Sequence, residues 1–404
     1  MSHESQKGFH LTIIALVILI LGVVGLVGYK VISNQPATSS SIISGSGSVE
    51  SKAVKAGKSL SANKCVGTGD ATFTSLPMKP EDFSILIPYG LVVGGHVTPI
   101  DHQYFAPKDH NSARDSYPVY AMADATIVDI QPRANDRGTE YRFVFAHSCT
   151  FLYYYDLVTS LSGKVKQAYD KNNREINLPI KAGEQVGAIG GQTLDFAVWR
   201  TNGTLKGFIV PSHYDGEGWK IYTTNPFPYY TPELRAIVEA RNPRVAEPVE
   251  GKIDYDIDGK LVGNWFVRAS GGYIGGQKQE YWKTHLSIAP DLYDPSHFTI
   301  SLGDYGGQAE QFEDLDNAPD PATVGVDAGL VKYDLTSWNY LTSTGANWNR
   351  DSVAKGLTAK SSGQGVGCLL AQLTSTRILK AEPFPGKSCS MITGFADSVK
   401  FYER

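Results

Sequence analysis

The sequence predicts a mainly β protein in which one N-terminal transmembrane helix precedes two folded domains. Glycine occurs 41 times and aromatic residues make up 11% of the 404 residues, whereas charged residues make up only 19%. This profile is typical of short strands joined by tight turns, and the length exceeds one ordinary core. The formal net charge of -4 gives no general attraction to nucleic acid, which we do not expect as a partner.

An uncharged and almost wholly apolar run at residues 8–29 predicts the membrane helix. At a rise of ~1.5 Å per residue, the run is long enough to cross a hydrocarbon core of ~30 Å. No small-x-small cleavage site follows it, so we expect an uncleaved, single-pass anchor over residues 8–32. Lys7 and Lys30 flank the run and give no clear positive bias. We interpret residues 1–7 as a short cytoplasmic tail and expect the bulk of the chain to be extracytoplasmic at the cell membrane.

Four cysteines agree with an extracytoplasmic location. Cys368 and Cys389 bracket a strand–turn–strand pattern and could form one disulfide, and Cys65 and Cys149 could form a second. Such pairs are permitted outside the cytoplasm, although a sequence does not prove them.

Residues 33–64 follow the anchor and are rich in Ser, Ala, Gly and Lys without apolar periodicity, which is typical of a flexible linker. Residues 65–245 form the first predicted domain, which is made mostly of short strands. It ends in a predicted helix at 231–242 that begins at Thr231. Its strands are predicted from apolar, β-branched or aromatic runs at 83–90, 117–133, 141–147, 150–158 and 176–200.

Residues 246–404 show little sign of helix and predict an antiparallel β-barrel or sandwich. A hairpin is expected over 252–269 with its turn at Asp258-Gly259. The tripeptide GNW (263–265) resembles, weakly, the G-x-W of lipocalin-like barrels. Further strands are predicted at 285–290, 297–303, 329–335, 368–375 and 378–384.

The aspartates in DYDIDGK (254–260) have the spacing of a calcium-binding loop. Trp265 stands where such a loop needs a bidentate Glu. A β-turn explains the same residues more simply.

The stretch GGHVTPIDHQYF (94–105) places two histidines and an aspartate within seven positions. His96, Asp101 and His102 together could hold a metal ion, because imidazole nitrogen and carboxylate oxygen are both good ligands. The other interpretation is a hydrogen-bonded turn at Pro99, which interrupts any regular strand. The residues alone leave both open.

Three longer segments resemble the LytM/lysostaphin-like zinc endopeptidases, which cut peptide cross-bridges in bacterial cell walls. They are YPVYAMADATIVDIQ (117–131), VFAHSCTFLYYYDLVTSL (144–161) and IKAGEQVGAIGGQTLDFAVW (180–199), and they occur in the order of that family. The resemblance covers about residues 85–200. It implies a compact β-sandwich hybrid, the duplicated hybrid motif, in the first domain.

In that family a His, an Asp and the second His of an H-x-H pair hold the zinc, and an open position takes the attacking water. By resemblance, Asp101 matches the ligand Asp and Asp195 replaces the ligand His. His96 and His102 are the nearest candidates for the first ligand. The resemblance thus implies a candidate site for zinc or another divalent metal formed by His96, Asp101, His102 and Asp195.

The family's two catalytic histidines are replaced in this chain. Thr193 stands for one and Asp156 for the other, while His147 matches a histidine that often precedes the strand. A carboxylate does not perform the proton chemistry of a histidine near neutral pH unless its pKa is strongly raised, and a threonine does not perform it at all. We therefore expect the endopeptidase activity to be lost.

Two functions from different classes remain. The first is an anchored protein with an inactive LytM-like domain that binds peptidoglycan or another cell-envelope protein. The second is a metal-dependent peptidoglycan endopeptidase with an atypical Asp/His ligand set.

Overall fold

The computed structural model describes residues 51–172, 175–275, 280–315 and 318–404. The predicted cytoplasmic tail, the predicted anchor and the linker up to residue 50 lie outside these ranges. Within the described ranges, no helix is both long enough and apolar enough to cross a membrane.

The first domain is built on two antiparallel sheets. A large sheet has the strand order β1-β2-β10-β6-β5-β4-β8 with β11 paired to β10, and a small sheet has the order β3-β9-β7. Phe143 and Phe196 of the large sheet share one buried core with Val119 and Ile189 of the small sheet. The strands are β1 (Phe83–Ile87), β2 (Gln103–Pro107), β3 (Tyr117–Tyr120), β4 (Ala125–Asn135), β5 (Gly138–Ala146), β6 (Phe151–Val158), β7 (Ser160–Leu161), β8 (Leu178–Ile180), β9 (Gln185–Ile189), β10 (Leu194–Arg200) and β11 (Thr223–Thr224).

Three α-helices accompany these sheets in the described residues: α1 (Lys52–Leu60), α2 (Gly163–Asn172) and α3 (Pro232–Ala240). Helix α3 confirms the helix predicted at 231–242, with Thr231 at its N-cap position. Helix α1 corrects the prediction that residues 33–64 are all flexible linker. Ser51 caps α1 by accepting a hydrogen bond from the Val54 amide, and Gly57 packs directly on the Cys149 carbonyl.

The second domain is a closed antiparallel barrel, which confirms the predicted β-barrel. Its strands follow one another around the barrel in chain order, and the last strand pairs with the first. They are β12 (Gly263–Val267), β13 (His285–Pro290), β14 (Phe298–Tyr305), β15 (Gln308–Asp314), β16 (Val331–Leu341), β17 (Thr358–Ser375), β18 (Ile378–Pro385) and β19 (Lys400–Glu403).

The hairpin predicted over 252–269 is wrong, because residues 252–262 form no strand and β12 begins only at Gly263. Residues 252–262 are held in place by aspartate side chains, and not by the backbone hydrogen bonds of a hairpin. Asp254 Oδ2 accepts from the Gly207 amide at 2.7 Å, and Asp256 Oδ1 accepts from the Asn264 amide at 2.7 Å.

The GNW tripeptide begins strand β12 of the barrel. Gly263 has a φ of +115°, and a Cβ there would lie 2.2 Å from Asp256 Oδ1, so the position requires glycine. Trp265 is fully buried, and the Arg404 guanidinium lies 3.9 Å from the centroid of its ring. Arg404 also donates to the Val262 carbonyl.

Residues 201–230, here called the bridging segment, belong to the first domain and contact the second domain. Tyr214 of this segment shares a buried apolar cluster with Phe266 of the barrel and Tyr154 of the large sheet. Its hydroxyl also accepts a hydrogen bond from Asn264 Nδ2 at 3.0 Å. The two domains therefore share a buried apolar cluster.

Both predicted disulfides are present. Cys65 pairs with Cys149 and Cys368 pairs with Cys389. The first joins the segment after α1 to the loop before β6, and the second joins β17 to the 3₁₀ turn after β18.

Candidate functional site

The candidate site lies on the face of the large sheet that is turned away from the main core. Antiparallel register places Tyr104 of β2 opposite Asp195 of β10, and Asp195 opposite Asp156 of β6. Because side chains alternate along a strand, these three share one face while Phe105, Phe196 and Tyr155 enter the core on the other. Two buried carboxyl groups therefore stand side by side in neighbouring strands.

His102 lies between two carboxylates. Its Nδ1 is 3.3 Å from Asp101 Oδ1, and its Nε2 is 3.3 Å from Asp195 Oδ2. The Tyr104 hydroxyl also lies 3.0 Å from Nε2. The structure thus brings together three of the predicted site residues, but it arranges them as an Asp–His–Asp chain through opposite sides of one imidazole.

Asp101 is also held by the bridging segment. Lys220 Nζ lies 2.9 Å from Asp101 Oδ1 and 3.1 Å from Glu217 Oε2. Trp219 Nε1 donates to Asp101 Oδ2 at 2.9 Å. Burial opposes ionisation of Asp101, but Lys220 and His102 hold its pKa well below the ordinary value. Both oxygens of this carboxylate therefore have donors from the protein itself.

Lys220 is a buried cation, exposing only 5% of its surface. Its ammonium lies 4.4 Å from the centroid of the Tyr273 ring in the second domain, a distance at which a ring face attracts a cation. Burial would lower the pKa of Lys220, but Asp101 and Glu217 raise it. The ammonium stays charged in the interior because two carboxylates surround it.

Asp195 has weaker partners than Asp101. Burial raises its pKa to about 7, with Asp156 adding to the effect and His102 opposing it. Within the described part of the chain, its buried Oδ1 has no hydrogen-bond partner. This oxygen is the one unoccupied acceptor of the two aspartates that flank His102.

Asp156 is paired with two arginines. Arg133 Nη2 donates to Asp156 Oδ1, and Arg142 Nε lies 3.1 Å from Asp156 Oδ2. This carboxylate occupies the position that the sequence resemblance gives to a catalytic histidine. The two oxygens of Asp156 thus each face a guanidinium, from strands β4 and β5.

The remaining predicted residues stand apart from this network. His96 is half-buried, its ring centroid is 6.1 Å from that of His102, and burial, with His102 and Lys220, lowers its pKa to about 3. Thr193 is partly exposed in the turn before β10. His147 is exposed, and its Nδ1 lies 2.8 Å from the Asp124 carbonyl.

The donor set in this arrangement does not fit a zinc ion. The two nitrogens of an imidazole point in divergent directions, so one ion cannot be bound by Asp101, His102 and Asp195 where they stand. The side of Asp101 where a cation would bind is taken by the Lys220 ammonium. Among the described residues, no group of three or more His, Cys, Asp or Glu side chains is placed to hold a metal ion.

Sequence reasoning missed the cations of the site. Arg142 carried a signal, because it is a lone charge within the apolar and aromatic strand YRFVFA and needs a counter-charge if that strand is buried. Lys220 carried none, since it lies far along the chain from Asp101 in a segment without a clear periodic pattern. Its role depends on how the bridging segment folds back over the sheet.

No family model and no curated protein matches this sequence. Solved structures similar to it include Helicobacter pylori Csd3 from the hexagonal crystal, at 14% identity and a TM-score of 0.24. That alignment covers 42% of this chain and 38% of the other, so this chain spans well under half of Csd3. The solution structure of lysostaphin is similar at 9% identity and a TM-score of 0.25, over 83% of this chain and 92% of the other. Because both TM-scores are low, we base the functional proposal on the residues themselves.

Proposed function

We propose that this chain is a membrane-anchored, extracytoplasmic binding protein. In this proposal the first domain retains the scaffold of a LytM-like domain but does not cut peptide bonds. It binds peptidoglycan or a protein of the cell envelope.

The observation that carries the proposal is the contact between Lys220 and Asp101. In the sequence resemblance, Asp101 is the retained metal ligand, and a catalytic metal would supply the positive charge beside it. Here the protein supplies that charge from its own side chain, at 2.9 Å and in a buried setting. A lysine ammonium has no open coordination position and cannot activate a water molecule as zinc does.

The surroundings of Asp156 support the same conclusion. General acid–base catalysis needs a group that gains and loses a proton near the working pH. Asp156 stands at one of the family's two catalytic positions and is paired with two guanidiniums. Thr193, at the other catalytic position, does not titrate in this range.

Two observations support the proposed extracytoplasmic location at the membrane. The apolar run at residues 8–29 has the length and composition of a membrane anchor. The disulfides Cys65–Cys149 and Cys368–Cys389 are stable in an oxidising compartment, which favours placing both domains outside the cytoplasm.

One observation favours the alternative, a metal-dependent peptidoglycan endopeptidase. Asp195 Oδ1 is buried and lacks a hydrogen-bond partner in the described residues, as a carboxylate awaiting a metal would. For a metal to bind, Lys220 would have to leave Asp101 and His102 would have to turn one nitrogen toward both aspartates.

A digestion and binding assay separates the two functions. The full chain in detergent micelles is incubated with intact peptidoglycan, with and without added zinc. We expect the chain to sediment with peptidoglycan, or to retain an envelope protein, and to release no soluble peptide under either condition.

Zinc content and two variants complete the test. Stoichiometric zinc, together with peptide release that is abolished in Asp195→Ala and kept in Asp170→Ala, would establish the alternative instead. Asp170 is the matched control because it is an exposed aspartate of the same domain that pairs with Lys166 at the surface. Absence of binding to peptidoglycan and to every envelope protein would overturn the proposed function itself.

A further inference from the structure

The geometry points to a carboxylate-binding site formed by Arg133 and Arg142 at the edge of the candidate site. Its ligand would be a peptide that ends in, or carries, a free carboxylate. This inference rests on the proposed binding function and specifies the chemistry that the domain recognises.

The positive charges around Asp156 outnumber the single negative charge of its carboxylate. Two guanidiniums share this one carboxylate, so these three side chains sum to a formal charge of +1, and the further carboxylates that act on Arg142, Glu217 and Asp101, are already paired with Lys220. Asp195, the nearest further carboxyl group along the sheet, is directed to His102. A second carboxylate, brought by a ligand, would restore the balance.

Arg142 has unused hydrogen-bond donors. Its Nε lies 3.1 Å from Asp156 Oδ2, but this buried atom forms no hydrogen bond to any described residue. Its side chain is 20% exposed. A guanidinium has five donors in a planar fork, and a carboxylate matches two of them at once.

Aromatic rings pack against the guanidinium of Arg142. Arg142 Cζ lies 5.0 Å from the centroid of the Tyr154 ring and 4.9 Å from that of the Trp219 ring. Trp199 stacks on both of these rings, at 5.0 and 5.8 Å between centroids. Aromatic faces thus hold the plane of Arg142 in place, and little conformational freedom remains to be lost when a ligand binds.

Arg133 completes the site from the neighbouring strand. It lies on β4, which pairs with the β5 strand of Arg142. Its side chain is 16% exposed and reaches the same carboxylate, Asp156. Two partly exposed guanidiniums anchored through one buried aspartate form a charged surface of fixed geometry.

The test compares two probes that differ only in the charged group. N-acetyl-alanyl-alanine and its C-terminal amide are titrated into the full chain in detergent micelles by isothermal calorimetry. We expect the free acid to bind at least about ten-fold more tightly than the amide, because charge-assisted hydrogen bonds are lost. Equal binding of acid and amide would overturn the site, as would tighter binding of inorganic phosphate than of the acid.

Variants connect the binding to the two arginines. Arg142→Gln and Arg133→Gln should each weaken binding of the acid about ten-fold or more, and Arg142→Lys should weaken it less than Arg142→Gln. Arg200→Gln is the matched control, since Arg200 is a surface arginine of the same sheet already paired with Asp70, and it should bind like wild type. Unchanged affinity in both glutamine variants would overturn the assignment.

Failure here is distinguishable from failure of the proposed function. If the chain sediments with peptidoglycan but acid and amide bind equally, only the carboxylate site is wrong. If the chain releases peptide with zinc, the proposed function is wrong whatever the probes show.

Discussion

Lys220 Nζ lies 2.9 Å from Asp101 Oδ1, and both side chains are almost fully buried. The lysine belongs to the bridging segment, while the aspartate precedes β2 of the large sheet. One ion pair therefore fastens the bridging segment onto the sheet, at the position where the sequence resemblance places a metal.

Replacing Lys220 by methionine should destabilise the protein by about 3–5 kcal/mol, because removal of one partner leaves an uncompensated buried charge on Asp101. Denaturant unfolding followed by tryptophan fluorescence measures the change. Lys181→Met is the control, since Lys181 pairs with Asp124 at the surface, and should leave the midpoint nearly unchanged. The double variant Lys220→Met/Asp101→Asn should recover part of the loss, and the absence of any recovery would contradict this explanation.

Asp256 should make stability depend on pH. Burial raises its pKa to about 6, with Arg404 opposing the shift, whereas the ordinary value is 3.8. Between these values Asp256 is ionised in the unfolded chain but protonated in the folded chain. The contribution of Asp256 to stability is therefore greatest at low pH and falls as pH rises from about 4 to about 6. The full difference amounts to about 3 kcal/mol.

The variant Asp256→Asn isolates that contribution. We expect the decline in the free energy of unfolding between pH 4 and 6 to become shallower, because the variant side chain does not titrate. Asp258→Asn is the control: Asp258 is half-exposed and paired with Arg377, and its loss should leave the decline in place. An unchanged slope in Asp256→Asn would refute the assignment.

Gly57→Ala should be destabilising despite alanine's higher helix propensity. A Cβ at this position would lie 1.7 Å from the Cys149 carbonyl oxygen, so helix α1 would have to move away from the first disulfide. Overpacking of this kind costs about 1–3 kcal/mol. Gly203→Ala, where a Cβ meets nothing within 4 Å, should be nearly neutral in the same thermal-unfolding measurement.

The disulfide Cys368–Cys389 should contribute about 3 kcal/mol, since it closes a loop with a sequence separation of 21. Unfolding of the double variant Cys368→Ala/Cys389→Ala, compared with wild type, gives the value. Titration with a thiol reagent under denaturing, non-reducing conditions should detect no free thiol in wild type. Two free thiols there would show that one pair does not form.

Periodicity and turn residues were enough to predict most of the fold. Alternating apolar residues indicated the strands of both domains, and the β-barrel is confirmed. The helix at 231–242 is confirmed because its apolar residues repeat at helical spacing. These features are local, so neighbouring residues determine them.

Apart from the two disulfides, features that depend on contacts between distant residues were not predicted. Helix α1 is short and rich in lysine, and its Gly57 packs against Cys149, which is distant in sequence. The expected hairpin at 252–269 failed because Asp254 and Asp256 bind backbone amides at 207 and 264. In the site, Asp101 and Asp195 were identified as candidates, but Lys220 becomes their neighbour only after the whole chain has folded.

The bridging segment also affects how the protein unfolds. Tyr214 shares one buried cluster with Tyr154 of the first domain and Phe266 of the second, so loss of either domain would expose apolar surface on the other. We therefore expect both domains to unfold together, as one cooperative unit with a single calorimetric transition. Strong coupling of this kind would let a load applied to one domain be borne by both.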